Sequence, residues 1–343
     1  MVIEGKSQGE TMHEEAQRSR RYWKILANTL HKEGRYAEAL RIYRQAILLN
    51  PDDADLSYNL GNLLRTIGQP DRAIGVYEHA HRLNPKDPDI LVNLAPLYRS
   101  SHKLDKARHC YEKILALDPE NVTAHYFLTA LDGGAPARAP AAYVVELFDQ
   151  YAPTYDQHMN QVLKYKAPEI LRNLLNSYGP ARGRRYKACD LGCGTGRSME
   201  AFRKLVTHVD GYDLSPVMLK RAAEKKIYRQ LTTGDCIETL GAAAGHYDLF
   251  LAADLLPYIG EVDSLFAVIR QKAKSPAFLL FSTEFQESGN SPRLLISGRY
   301  QHSLAYIQSR FIAHEMSLRA FQVKDLRLQA HEPILGGIYL VEL

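Results

Sequence analysis

A chain of 343 residues suits two domains, and its 45% hydrophobic content is that of ordinary globular protein. Lys plus Arg (43) nearly balances Asp plus Glu (39), leaving a net charge of +4, so the composition demands neither a nucleic acid nor an acidic lipid surface as partner. The four cysteines, Cys110, Cys189, Cys193 and Cys236, contain no C-x-x-C pair, and no apolar run is long enough to span a membrane, so a metal-free chain in a reducing, cytoplasmic setting is expected.

Residues 1–19 read as a flexible, polar terminus. From 20 to 121 a 34-residue pattern then runs three times without insertion, as 20–53, 54–87 and 88–121. Leu26, Leu60 and Leu94 share one phase; Ala39, Ala73 and Ala107 a second; Tyr43, Tyr77 and Tyr111 a third; Pro51, Pro85 and Pro119 a fourth. Period and residue types resemble the tetratricopeptide repeat (TPR), with Trp23 at the aromatic position of the first copy. Small alanines let paired helices approach, tyrosines fill the space between pairs, and each proline stops the second helix. Ala27 and Ala95 depart from the pattern where the second copy has Gly61, and Ile114 replaces Ala46 and Ala80. A further helix, 122–131, begins in phase and stops at Gly133 and Gly134, and is expected to cap the stack. The resemblance implies a groove for a peptide or protein; docking within the chain or homo-oligomerisation are the alternatives.

Residues 132–142, rich in Pro and Ala, read as a linker. The domain from 143 to 343 opens with a helical stretch, 143–178, carrying Phe148, Tyr151, Tyr155 and Tyr165. A short apolar strand, Tyr186–Cys189, follows and runs into Asp190, Leu191, Gly192, Cys193, Gly194, Thr195 and Gly196, with helical composition from Ser198 to Val206. Alternating glycines at a strand-to-helix turn let the backbone wrap a polar ligand with its amides outward. The G-x-G-x-x-G of nicotinamide sites would need its third glycine at Arg197. Strand-like runs Thr207–Tyr212, Arg229–Thr233 and Leu249–Ala253 lead to Asp213, Asp235 and Asp254. A carboxylate has acceptors for both hydroxyls of a ribose, which suits Asp213, while Asp235 can reach an adenine amino group. Further strands at Phe278–Ser282, Ala320–Leu328 and Ile338–Leu343, with helices at Val262–Lys274 and Ser303–Ala313, make seven strands in an α/β doubly wound, Rossmann-like sheet whose ligand crevice lies beyond the carboxyl strand ends.

Residues 145–343 resemble the class I S-adenosylmethionine-dependent methyltransferases, whose first motif is similar to Asp190–Gly196. The resemblance implies that Asp190, Gly192, Cys193, Gly194, Thr195 and Gly196 hold the methionine part of S-adenosylmethionine and Asp213 its ribose. Asp235 with Cys236 would face the adenine edge, Leu214 and Met218 would pack on the adenosine, and Asp254 would complete the line of acids. The run Phe148–Asp156 is similar to the lid of a bacterial methyltransferase group fused to tetratricopeptide repeats, which implies that Tyr155 and Tyr151 contact the cofactor's carboxylate or sulfonium. For a nucleophile that must lose a proton, His158 in the lid and His302 near the last long helix are the candidate bases; a carboxylate acceptor needs none. Arg299 either binds an anionic group of the acceptor or is a plain charge at a helix entry, and Tyr258 walls the acceptor pocket. The expected activity is methyl transfer to a peptide, a protein or a protein-presented acceptor. A small-molecule O- or N-methyltransferase and a non-catalytic cofactor-binding adaptor are the alternatives.

Overall fold

A computed structural model describes residues 21–180, 183–329 and 332–343, so the expectation for 1–19 falls outside the described residues. The chain divides into two compact units, the first ending at Ala124 and the second running from His125 to Leu343.

In the first unit residues 21–32 are helical, followed by α1 (Tyr36–Leu49), α2 (Ala54–Thr66), α3 (Pro70–Leu83), α4 (Pro88–Ser100) and α5 (Leu104–Leu117). The turn inside each helical pair falls on Gly34, Gly68 and His102, all at positive φ, so the 34-residue period is a backbone period too. Asp53 and Asp87 cap α2 and α4 by accepting from the amides of Leu56 and Asp89, each at 3.0 Å. Ala39, Ala73 and Ala107 are wholly buried, and beside them Tyr43 and Tyr77 donate to Asn28 Oδ1 and Asn62 Oδ1 at 2.5 and 2.6 Å. The third copy has Pro96 at that asparagine position, inside α4.

α6 (Val122–Leu131), expected as a cap on the repeats, belongs to the second unit from His125 onward. Tyr126 and Phe127 are buried there against Tyr143, and the Tyr126 hydroxyl donates to the Gly298 carbonyl at 3.1 Å. The stretch read as a linker is in part fixed: the amide of Ala139 donates to Tyr258 O (2.9 Å), those of Gly260 and Glu261 donate to Ala137 O (2.9 and 2.8 Å), and Tyr300 donates to Pro136 O (2.6 Å). Backbone pairing of this kind depends on tertiary approach and leaves no signature in a Pro and Ala run.

Next come α7 (Ala141–Tyr151), α8 (Tyr155–Gln161) and α9 (Ala167–Tyr178). Strands β1 (Tyr186–Leu191), β2 (Val206–Asp213), β3 (Gln230–Thr233), β4 (Tyr247–Ala252) and β5 (Ala273–Gln286) lie parallel in the order β3-β2-β1-β4-β5. Beyond β5, β9 (Glu332–Glu342) pairs antiparallel with both β5 and β8 (Ser317–Gln329). The described residues hold nine strands where seven were expected, because β6 (Arg293–Leu294) and β7 (Tyr300–Ser303) form a small extra pair. At Glu284 β5 is flanked by Gln301 of β7 on one side and Gly336 of β9 on the other. Strands of two and four residues are too short to show alternation.

Helices cover both faces of the sheet. Leu171, Leu174 and Leu175 of α9 join Phe202, Leu249 and Leu251 in one core layer. The other holds Phe250 and Phe281 with residues of α12 (Cys236–Ala242), α13 (Asp263–Lys272) and α14 (Leu304–Ala313), among them Leu240, Phe266 and Phe311. The helix expected over Ser198–Val206 is only α10 (Arg197–Glu200), continued by i→i−3 turns such as Phe202 N to Met199 O at 2.9 Å. Those tighter turns let Met199 and Phe202 both face the core before β2 begins. Among the described residues no helix is long and apolar enough to cross a membrane.

Candidate functional site

β1 is buried along nearly its whole length and ends at Leu191, after which the chain must turn sharply at Gly192 to reach α10. Gly192, Gly194 and Gly196 all sit at positive φ (63°, 53° and 78°), which only glycine adopts without strain. A Cβ on Gly192 would lie 3.0 Å from Leu255 and one on Gly196 2.8 Å from the Tyr228 ring, whereas one on Gly194 would meet nothing within 4 Å. Gly194 therefore presents bare backbone to open space.

That space is a cavity of roughly 810 Å³, counting the solvent at its mouth. Its walls bring together ten of the residues chosen from sequence: Tyr155, Gly192, Gly194, Asp213, Leu214, Met218, Asp235, Cys236, Asp254 and Tyr258. They come from the segments that follow β1, β2, β3 and β4, including the first turns of α11 (Met218) and α12 (Cys236), and from α8, in the crevice where doubly wound sheets take their ligands. Asp213 accepts from the Gly194 amide on Oδ2 and from the Ser215 amide on Oδ1, both at 2.8 Å. Burial raises its carboxyl above the usual range against the pull of those two amides. Met218 is held at the floor by α11 (Pro216–Glu224), which Ser215 caps through the Met218 amide at 3.0 Å. Asp235 caps α12 with Oδ1, and its Oδ2 accepts from Arg138 Nη1 at 2.6 Å.

Other chosen residues lie off the cavity wall, and each has a structural partner. Asp190 is buried behind the glycine turn, where Tyr228 donates to Oδ2 at 2.6 Å and burial pushes the carboxyl up to about 7. Cys193 is buried. Thr195 donates to Asp156 Oδ1 at 2.6 Å, tying the glycine turn to α8. Gly196 is the turn's last left-handed residue. The Tyr151 hydroxyl and His158 Nδ1 are hydrogen-bonded to each other, so neither is displayed as a free group toward the cavity. His302, taken as a candidate base, is corrected: it is fully buried, its Nε2 meets the Gly260 carbonyl at 3.0 Å, and burial pushes its ring down to about 4. A neutral imidazole sealed in the core has no access to an acceptor.

Arg299 is not a loose charge at a helix entry. Its Nε bonds Glu284 Oε1 at 2.5 Å, Nη1 bonds the Tyr258 hydroxyl at 2.8 Å and Nη2 bonds Asp254 Oδ1 at 2.9 Å. Arg327 donates to the same Glu284 oxygen at 2.6 Å. Burial opposes ionisation of Glu284, but the two guanidiniums outweigh it and hold the carboxyl below its ordinary range. The cluster orients Asp254 and Tyr258 at the cavity wall.

The helical stretch 143–178 closes over the glycine turn through several bonds. Arg197 donates to Asn160 Oδ1 (2.6 Å), Arg221 to the carbonyls of Ala152 and Pro153 (3.2 and 2.7 Å), and Tyr165 to Ala253 O (2.9 Å). Ser215 donates to Asp149. Arg197, the residue that breaks the nicotinamide spacing, is thus a lid anchor. Sequence reasoning placed Phe148 in the lid without choosing it as a contact, and missed Arg138, Ala139, Val144, Gly234, Leu255 and Ile259 among the lining residues. Phe148 and Leu255 stand beside chosen residues, but no sequence signal singles out Arg138.

A parallel sheet ordered β3-β2-β1-β4-β5, a glycine turn after β1 and carboxylates after β2, β3 and β4 define a doubly wound domain with a ligand-sized crevice at the carboxyl ends of its strands. Residues 188–275 match the family model described as Methyltransferase domain. Residues 27–68 match one described as TPR repeat and 67–131 one described as Tetratricopeptide repeat, so the chain joins tetratricopeptide repeats to a methyltransferase domain. Among solved structures, the chain is similar to magnesium protoporphyrin IX methyltransferase from Synechocystis with bound S-adenosylmethionine, at 18% identity over 51% of this chain and 77% of that one, with a TM-score of 0.39. It is also similar to 1,6-didemethyltoxoflavin-N1-methyltransferase from Burkholderia thailandensis with bound 1,6-didemethyltoxoflavin and S-adenosylhomocysteine, at 15% identity over 61% and 92% of the chains, TM-score 0.46. An S-adenosylmethionine-dependent methyltransferase from Clostridium acetobutylicum gives 15% identity over 57% and 99%, TM-score 0.42. None of the curated proteins matches the chain.

Proposed function

We propose that this chain is an S-adenosylmethionine-dependent methyltransferase whose acceptor is a peptide, a protein or a molecule presented by one, with the repeats recognising partner or substrate. The observation that carries the cofactor assignment is the cavity at the carboxyl end of the sheet, where bare backbone at Gly194 and the carboxylates of Asp213 and Asp235 line one continuous wall. Gly192 and Gly194 fit the amino-acid tail, Asp213 the ribose hydroxyls, Leu214 and Met218 the adenine faces, and Asp235 with Cys236 the adenine edge. The bound cofactor supplies an electrophilic methyl group, whose sulfonium sulfur keeps the bonding electron pair when the methyl moves to the acceptor.

The chain's own residues orient the acceptor and keep water out. Tyr155 and Phe148 close the cavity from the lid and Tyr258 from β4's end, while Asp254, steadied by Arg299, puts negative charge on the same wall. With His302 sealed in the core, His158 is the histidine left as a candidate base; it stands off the cavity wall, hydrogen-bonded to Tyr151, and would have to leave that partner to serve. A small acceptor is the second reading, favoured by the aromatic enclosure of Phe148, Tyr155 and Tyr258 around the cavity.

Calorimetry with S-adenosylhomocysteine tests the cofactor site. The parent is expected to bind, and Asp213→Ala to bind about 10–100-fold more weakly, the worth of roughly 1.5–3 kcal/mol for hydrogen bonds to a charged group. Equal affinity in the two proteins would overturn the assignment. Isotopically labelled cofactor with peptide fractions and small-molecule fractions then identifies the acceptor, and no label transfer at all would leave a binding adaptor.

A further inference from the structure

Arg138 sits in a run of Pro and Ala, yet it is built into the cavity. Residues 136–139 are strapped to the segment after β4: Arg138 forms an antiparallel bridge with Ile259, and the flanking bonds from Ala139 N to Tyr258 O and from Gly260 N to Ala137 O hold it on both sides. Gly260 makes the approach possible, since a Cβ there would lie 2.6 Å from the Tyr300 ring and 3.1 Å from the Ala137 carbonyl. From this strap the side chain reaches Asp235 Oδ2 at 2.6 Å, and Arg138, Ala139 and Asp235 share the cavity wall.

We propose that Arg138 is a positioning residue for adenine recognition: it aims the outer oxygen of Asp235 at the adenine edge and closes that end of the cavity. Oδ1 of Asp235 is committed to the amides of Ile237 and Glu238 at the start of α12. Oδ2 is the oxygen left for a ligand, and a carboxylate oxygen accepts two hydrogen bonds, so one from Arg138 leaves room for one from an exocyclic amino group. Arg138 is half exposed, so its charge contributes little by itself; its effect lies in fixing the direction of that oxygen. This inference rests on the cofactor reading above.

The test measures binding and release of S-adenosylhomocysteine and of its inosine analogue, which carries a carbonyl in place of the adenine amino group, for the parent, Arg138→Ala and Arg138→Lys. Arg138→Ala is expected to weaken S-adenosylhomocysteine about 3–10-fold, mainly through faster release, and to shrink the parent's preference over the inosine analogue by a similar factor, with Arg138→Lys recovering part of both. A Arg138→Ala protein with the parent's melting temperature and undiminished discrimination would overturn the proposal, as would equal weakening of both ligands, which indicates a cover without a positioning role. If the parent itself binds neither ligand, the cofactor reading fails first, and the two failures are told apart.

Discussion

At the residue scale, the structure separates carboxylates that line the cavity from one that lies buried behind the glycine turn. Asp190 lies behind the glycine turn with its carboxyl raised to about 7 by burial, so in the fold it holds its proton well above the pH at which the unfolded chain releases it. A raised acid contributes stability that is complete below the unfolded value and lost as pH climbs through the folded one. The parent should therefore lose up to about 4 kcal/mol from this group between pH 4 and 7, and Asp190→Asn, which keeps an acceptor for Tyr228, should show a flatter profile. Urea midpoints across that range check it; parallel profiles would show that Asp190 is ionised in the fold. His302 gives the complementary case. His302→Gln is expected to cost about 1–2 kcal/mol of stability by disturbing the bond to Gly260 while the pH dependence of methyl transfer stays that of the parent. A shifted rate profile would restore His302 as a base.

At the element scale, each repeat is a helical pair closed on a tyrosine, and in the second copy a glycine faces that ring. A Cβ at Gly61 would lie 2.5 Å from the Tyr77 ring, while Ala27 and Ala95 occupy the same position in the other copies. Tyr77 cannot back away freely because its hydroxyl is anchored to Asn62. Gly61→Ala should lower the stability of the repeat unit by about 1–3 kcal/mol in spite of alanine's better helix propensity. Far-UV circular dichroism during thermal melting would reveal this as an earlier helical transition; an unchanged or later one would mean the ring rearranges at no cost. The lid follows the same logic of local anchoring, since it is held to the glycine turn and the start of α10 through Thr195 and Arg197 and to α11 through Arg221, none of which an apolar pattern would select.

For the whole molecule, the boundary between the two compact units does not fall where the composition changes. Tyr126 and Phe127 are buried in the second unit, and Arg138 and Ala139 of the strap line the cavity. A fragment of residues 125–343 is expected to fold and bind S-adenosylhomocysteine as the full chain does, whereas 141–343 should lose about 3–5 kcal/mol for each of its two missing buried aromatics and bind poorly. Urea unfolding and calorimetry on the two fragments decide it, and equal behaviour would make the segment 125–140 dispensable. The longer fragment also tests the repeats: if it methylates the acceptor as fast as the full chain, they do not deliver substrate.

The sequence alone determined the features that repeat or that need a special residue type. The 34-residue period, the strand runs leading to Asp213, Asp235 and Asp254, and the glycines at 192, 194 and 196 are all local demands of backbone and pattern, legible without a partner in space. Only the tertiary structure decided what each polar group faces. It put Asp190 behind the turn and His302 in the core, bound Arg299 between Asp254 and Glu284, and brought Arg138 across 97 positions to Asp235. Contacts between residues so far apart are set by how helices and strands pack, and a one-dimensional pattern carries no record of that approach.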